Sequence, residues 1–174
     1  LVAKFVDQEL IPLERSVLAR EAAGGKAGLS DDEEEKLLAR CRELGLWALD
    51  VPEEIGGANL PAVALMAMNE ELGRTCVPFT FPPDSPNLHM LLAVASPEQR
   101  KKYMEPYAAG IAKSAIAISE PGAGAHPKHL QTTAESRDAG FVIRGRKAWV
   151  TNGPVADIFL VLAVIAVEDG RKRY

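Results

Sequence analysis

Ala117-Ile118-Ser119-Glu120-Pro121-Gly122-Ala123-Gly124, continued by Ala125-His126-Pro127, sets a strand-like run directly before a glycine-rich loop, and Trp149-Val150-Thr151-Asn152-Gly153 follows further along. A backbone without Cβ can approach a phosphate closely and aim N–H groups at it, so the loop reads as an anion cradle or, taken alone, as a tight turn. It is not a dinucleotide-binding fingerprint. The GxG spacing is present, but Pro127 stands where that pattern needs Gly or Ala, and no helix is expected to begin there.

The residues around these two stretches are strand-like. Ala115 to Ser119, Leu130 to Glu135, Phe141 to Ile143, Ala148 to Thr151 and Asp157 to Val167 alternate or run in β-branched blocks, and each predicts a strand. Gly140, Gly145 and Gly153 fall where hairpin turns need relaxed backbone sterics.

Before Gly110 the period changes. Apolar residues recur at three and four positions, as in Leu10, Leu13, Val17 and in Leu37, Leu38, Cys41, Leu44, which is helical spacing. Ser30 with Glu33 fits a capping box and Gly45 a left-handed stop, so a helix is expected from Asp31 to Leu44. The acidic run Asp31 to Glu35 is then that helix's solvated first turn rather than a metal site. Asn59 with Pro61 predicts a helix to Arg74, Ser85 with Pro86 another to Ala95, and Ser96-Pro97 with Gln99 a third. Val77 to Pro83, with three prolines, cannot be helical and reads as an ordered connection wrapped over the bundle. The fold class is therefore α+β, with an N-terminal helical bundle domain over 1–110 and an incomplete antiparallel β domain over 111–174.

Composition narrows the function. With 174 residues, 47% hydrophobic and 25% charged, the chain has enough apolar surface for an ordinary core. A net charge of -4 offers no basic face, which weighs against nucleic acid as a partner. Cys41 and Cys76, far apart, read as two reduced, part-buried thiols of a cytosolic-type compartment. The apolar run Ile158 to Val167 is about half the length that spans a bilayer as a helix, so no membrane span is expected. Asp7 among the first residues breaks any signal-peptide core. The chain stops soon after its most apolar strand, which leaves an open apolar edge, and it reads as a fragment of a longer protein or as dependent on a partner that covers that edge.

The order strand, Ser119 to Gly124, hairpin, Trp149 to Gly153 resembles the acyl-CoA dehydrogenase family. So do Leu44-Gly45-Leu46-Trp47, Val51-Pro52-Glu53-Glu54-Ile55-Gly56-Gly57 and Glu70-Glu71-Leu72-Gly73-Arg74, and nearly all of the chain is covered. The resemblance implies FAD as cofactor, an acyl-CoA thioester as substrate, an electron-transferring flavoprotein as electron acceptor and a homo-oligomer, dimer or tetramer. It implies that Trp149 lies against the flavin, that Thr151 donates near the reactive N5, and that Ile116, Ile118 and Ser119 meet the pyrimidine edge. Gly124 and Ala125 fall where the loop nears the FAD pyrophosphate and the acyl-CoA chain. There the sequence departs: the family usually continues Gly-Ser-Asp, whereas this chain continues Gly124-Ala125-His126, with neither hydroxyl nor carboxylate.

The family's catalytic base is a glutamate of a C-terminal helical domain outside these residues, so no catalytic residue is named here and the chain alone is expected to be inactive. Glu120 has a structural role by the same match. His126 and His129 lack a third ligand nearby, so no metal is expected. Two other readings keep the fold: a flavin monooxygenase or nitroalkane oxidase, and a catalytically silent subunit of a hetero-oligomeric dehydrogenase, the latter prompted by Ala125-His126. The compartment implied is the bacterial cytoplasm, or the mitochondrial matrix in a eukaryote.

Overall fold

A computed structural model describes residues 1–83, 91–124, 126–138 and 140–174. The chain divides into two compact units. One comprises the described parts of Leu1–Pro86 and Ala95–Ile111, the other the described parts of Asn87–Val94 and Ala112–Tyr174.

The first unit is helical. Helix α1 (Val2–Phe5) continues through a π turn (Val6–Leu10) and a 3-10 turn at Ile11–Leu13, where Pro12 lacks an N–H, into α2 (Glu14–Ala22). Helix α3 (Asp31–Leu44) has the boundaries that its caps predict. Ser30 Oγ accepts from Glu33 N at 3.3 Å, Ser30 N donates to the Glu33 carboxylate at 2.7 Å, and Gly45 closes the helix at φ 68°. The Ser30 amide, joined by Arg20 2.8 Å away, also holds the Glu33 carboxyl below its ordinary range. Ser30→Ala is expected to lower stability by about 1 kcal/mol in urea denaturation; a change under about 0.3 kcal/mol would mean that the box adds nothing beyond water.

Helix α4 (Ala62–Leu72) begins later than expected. Pro61, extended at ψ 151°, is the N-cap, while Asn59 takes a left-handed φ of 46° and donates its amide to Val51 O. The helix expected from Ser85 lies largely outside the described residues. The Ser96 box forms, with Gln99 N on Ser96 Oγ at 3.2 Å, and opens α5 (Pro97–Gln99), a π turn (Arg100–Met104) and α6 (Glu105–Ala108).

Phe5, Val6, Leu10, Val17, Leu37 and Cys41 are core residues of this unit. The Pro-rich connection packs onto them, with the Phe79 and Phe81 rings each 5.5 Å from Phe5. A smaller cluster forms around Ala48, Val51 and Ala108. There Trp47 Nε1 donates to Ala108 O at 2.9 Å, Arg42 stacks 3.6 Å from the indole centroid, and a methyl group on Gly110 would overlap that ring. The expectation of two part-buried thiols is corrected: Cys41 is fully buried, its thiol pushed up to about 12 chiefly by desolvation, and Cys76 is exposed.

The second unit pairs its strands in three ribbons. Strand β1 (Ser114–Ala117) runs parallel to β4 (Ile158–Val161), with Ser114 opposite Ile158. Strands β2 (Thr133–Arg137) and β3 (Gly140–Arg144) form an antiparallel hairpin, as do β5 (Ala166–Glu168) and β6 (Arg171–Arg173). The antiparallel expectation thus holds for the hairpins. The first ribbon is parallel because a long excursion separates its strands, which a tight turn cannot do. Val164 N donates to Thr132 O and Ala134 N to Val164 O, which ties the β2–β3 hairpin to the segment after β4. The run expected as one strand from Asp157 to Val167 is two, interrupted over 162–165. Among the described residues no helix is long and apolar enough to cross a membrane.

Candidate functional site

The loop after β1 is closed by Glu120. Its backbone exchanges hydrogen bonds with Ala123 at 2.9 and 3.0 Å. Its carboxylate accepts from Gln131 N at 2.7 Å, Thr132 N at 2.9 Å and Lys147 Nζ at 2.9 Å, and Lys147 Nζ also donates to Ile118 O at 3.0 Å. The two side chains are only 6% and 11% exposed. Burial alone would raise the Glu120 carboxyl, but the donors around it prevail and hold it at about 2. Thr132 Oγ1 lies close enough to favour the charged carboxylate. Among the described residues it is nevertheless the buried side-chain oxygen that reaches no partner at hydrogen-bonding geometry.

The same region joins the two sequence stretches. Ala148 N donates to Ser119 O at 2.9 Å, one residue along from the Lys147 contact, and Asn152 Nδ2 donates to Ser114 O at 3.2 Å. Residues 148–151, expected as a strand, form a bend and turn. Trp149 takes φ 58° and Asn152 φ 62°, and Asn152 O accepts from Val155 N and Ala156 N. The left-handed Trp149 costs steric energy that the bonds on either side of it must offset. Trp149 is 94% exposed, and Thr151 is exposed as well.

Of the expected site residues, Ile116 lies on β1 opposite Leu160, and Ile118 and Ser119 follow it, all half-buried. Gly124 is exposed at the loop, and a Cβ on Gly122 or Gly124 would meet nothing within 4 Å, so no crowding within the chain calls for glycine there. Ala125 lies outside the described residues. His126 is exposed, accepts from Lys128 N at 3.4 Å and stacks edge-on to His129 at 5.6 Å. Lys147 and Asn152 escaped the sequence reading as site residues. Only the position of Lys147 two residues before Trp149 hinted at it, since its partner Glu120 is 27 residues away.

A cleft of about 510 Å³ beside Glu120 is walled by Gly122, His129, Thr132, Arg144 and Arg146 among others, but by neither Trp149 nor Thr151. The aromatic face is therefore open to solvent rather than enclosed. The exposed indole of Trp149, the exposed Thr151 and the unhindered backbone at Gly122 and Gly124 are chemistry compatible with a planar flavin ring and its phosphates.

The match to known proteins decides the family. The acyl-CoA dehydrogenase N-terminal domain matches residues 1–111 and the acyl-CoA dehydrogenase middle domain residues 115–174. The chain belongs to the acyl-CoA dehydrogenase family. It is 34% identical to the (R)-benzylsuccinyl-CoA dehydrogenase of Thauera aromatica over 95% of this chain and 42% of that protein. Among solved structures it is similar to the acyl-CoA dehydrogenase of Geobacillus kaustophilus (TM-score 0.66, 26% identity, 93% of this chain and 40% of that one). A Bacillus anthracis acyl-CoA dehydrogenase complexed with FAD is comparable (TM-score 0.66, 29% identity, 94% and 28%). The chain thus spans less than half the length of these members of the family.

Proposed function

We propose that these residues form the flavin-binding portion of an acyl-CoA dehydrogenase that oxidises the α,β bond of an acyl-CoA thioester. The observation that carries this reading is Trp149, fixed at φ 58° by contacts that lead back to Ser119, with its whole indole turned outward. A tryptophan with a merely structural task would be buried.

The cofactor is FAD, which when bound accepts the substrate's β hydrogen as hydride. Trp149 shields one face of the ring from water, and the Thr151 hydroxyl donates where charge builds. Ile116, Ile118 and Ser119 line the pyrimidine edge, and Gly124 and Ala125 run beside the phosphates. The α proton leaves to a glutamate outside these residues, so the chain by itself does not turn over. Electrons pass to an electron-transferring flavoprotein, and the protein is a homo-oligomer of the bacterial cytoplasm or mitochondrial matrix. The division into domains at residue 110 follows the change of period and belongs to the same proposal.

The test is spectral. The protein incubated with FAD is expected to become yellow and to quench Trp149 emission, and Trp149→Ala is expected to weaken FAD binding roughly tenfold. A protein that stays colourless with FAD overturns the flavin reading. In the full-length protein, flavin bound without dehydrogenation of any acyl-CoA favours the silent subunit, and oxygen consumption without another acceptor favours the oxidase reading.

A further inference from the structure

We propose that Lys147 is a positioning residue for the flavin edge: its ammonium, held by Glu120, turns the Ile118–Ser119 peptide so that the Ser119 N–H faces outward as a donor. The inference rests on the FAD reading above.

The geometry is local. Lys147 Nζ has two partners, Ile118 O at 3.0 Å and Glu120 Oε1 at 2.9 Å. The Glu120 carboxylate is itself fixed by the amides of Gln131 and Thr132. The ammonium therefore sits at the end of a rigid chain of contacts and grips one carbonyl. In a trans peptide the C=O and the following N–H point in opposite directions, so gripping Ile118 O aims the Ser119 N–H away from Lys147. That N–H meets no acceptor among the described residues, and Ser119 O is already taken by Ala148 N. A half-buried amide left unpaired at a motif edge is a donor in search of an acceptor. The carbonyl oxygens and N1 on the pyrimidine side of a flavin are such acceptors, and N1 and its neighbouring oxygen gain negative charge on reduction. A fixed donor there binds the reduced form more strongly than the oxidised one.

The experiment compares wild type, Lys147→Arg and Lys147→Met, each titrated with FAD and each poised against reference dyes for the flavin midpoint potential. Lys147→Met keeps the aliphatic stem and removes the donors. It is expected to weaken FAD binding about tenfold or more and to shift the potential to more negative values. Lys147→Arg keeps a cation against Glu120 with donors spread over a wider plane, and is expected to give intermediate values of both. A wild-type potential in Lys147→Met, even with weaker binding, overturns the proposal, because a purely structural lysine changes affinity without favouring the reduced form. If Lys147→Met does not fold, Lys147→Arg decides: an unchanged potential overturns the proposal and a negative shift supports it. A wild-type protein that binds no FAD sinks the flavin reading itself, a result distinct from all of these.

Discussion

Glu120→Gln is expected to destabilise the β-containing unit by about 3 kcal/mol at neutral pH. Glutamine keeps the shape and one acceptor, but it leaves the Lys147 ammonium, 11% exposed, without its countercharge. It also puts an NH2 group where the Gln131 or Thr132 amide donates, so two donors face each other. The stabilisation carries a pH signature. The folded-state carboxyl sits at about 2, below its ordinary 4.5, so the contribution is complete above about 4.5 and is lost as pH falls through 2. Urea denaturation of both proteins at neutral pH and near pH 2.5 checks this, with the difference in stability expected to narrow at the acid end. A loss under about 1 kcal/mol, or a difference independent of pH, would contradict the account.

Phe5→Ala is expected to cost the helical unit about 3–5 kcal/mol. Phe5 is 2% exposed and lies between the helical turns and the Pro-rich connection, with the Phe79 and Phe81 rings both 5.5 Å away and 5.7 Å from each other. Truncation removes the area buried by one ring and two aromatic pairs, and opens a cavity that prolines on the connection cannot collapse into. Amide exchange around Leu10 and Val77 should accelerate with the loss. A change below about 2 kcal/mol would mean that the connection relaxes onto the gap.

The helical unit was legible wherever a local rule decided the outcome. Ser30, Glu33 and Gly45 mark α3 because capping chemistry acts within four residues, and the prolines of Val77 to Pro83 forbid helix whatever their surroundings. Asn59 misled because Asn both caps helices and tolerates left-handed backbone, and the hydrogen bond from its amide to Val51 O selects the second. In the β unit, Ala148 to Thr151 has the composition of a strand, yet bonds to Ser119 and Ser114 bend it into a turn. Neither those bonds nor the Glu120–Lys147 pair leaves a periodic trace. The motif residues themselves could be chosen from the family resemblance, but the lysine beneath them could not, since its role depends on which carbonyl it reaches.

The parallel partnership of Ser114–Ala117 with Ile158–Val161 also sets an order in time. On the ribosome β1 emerges well before its partner has been made, and it waits with its backbone groups unpaired while the loop, the β2–β3 hairpin and the Trp149 turn follow. Nearby contacts come first: Glu120 can meet Gln131 and Thr132 as soon as that stretch is out, then Lys147 closes over Ile118, and only afterwards does β4 zip alongside. Nascent chains halted just before Ile158 should therefore hold a closed Glu120 loop beside a bare, chaperone-accessible strand.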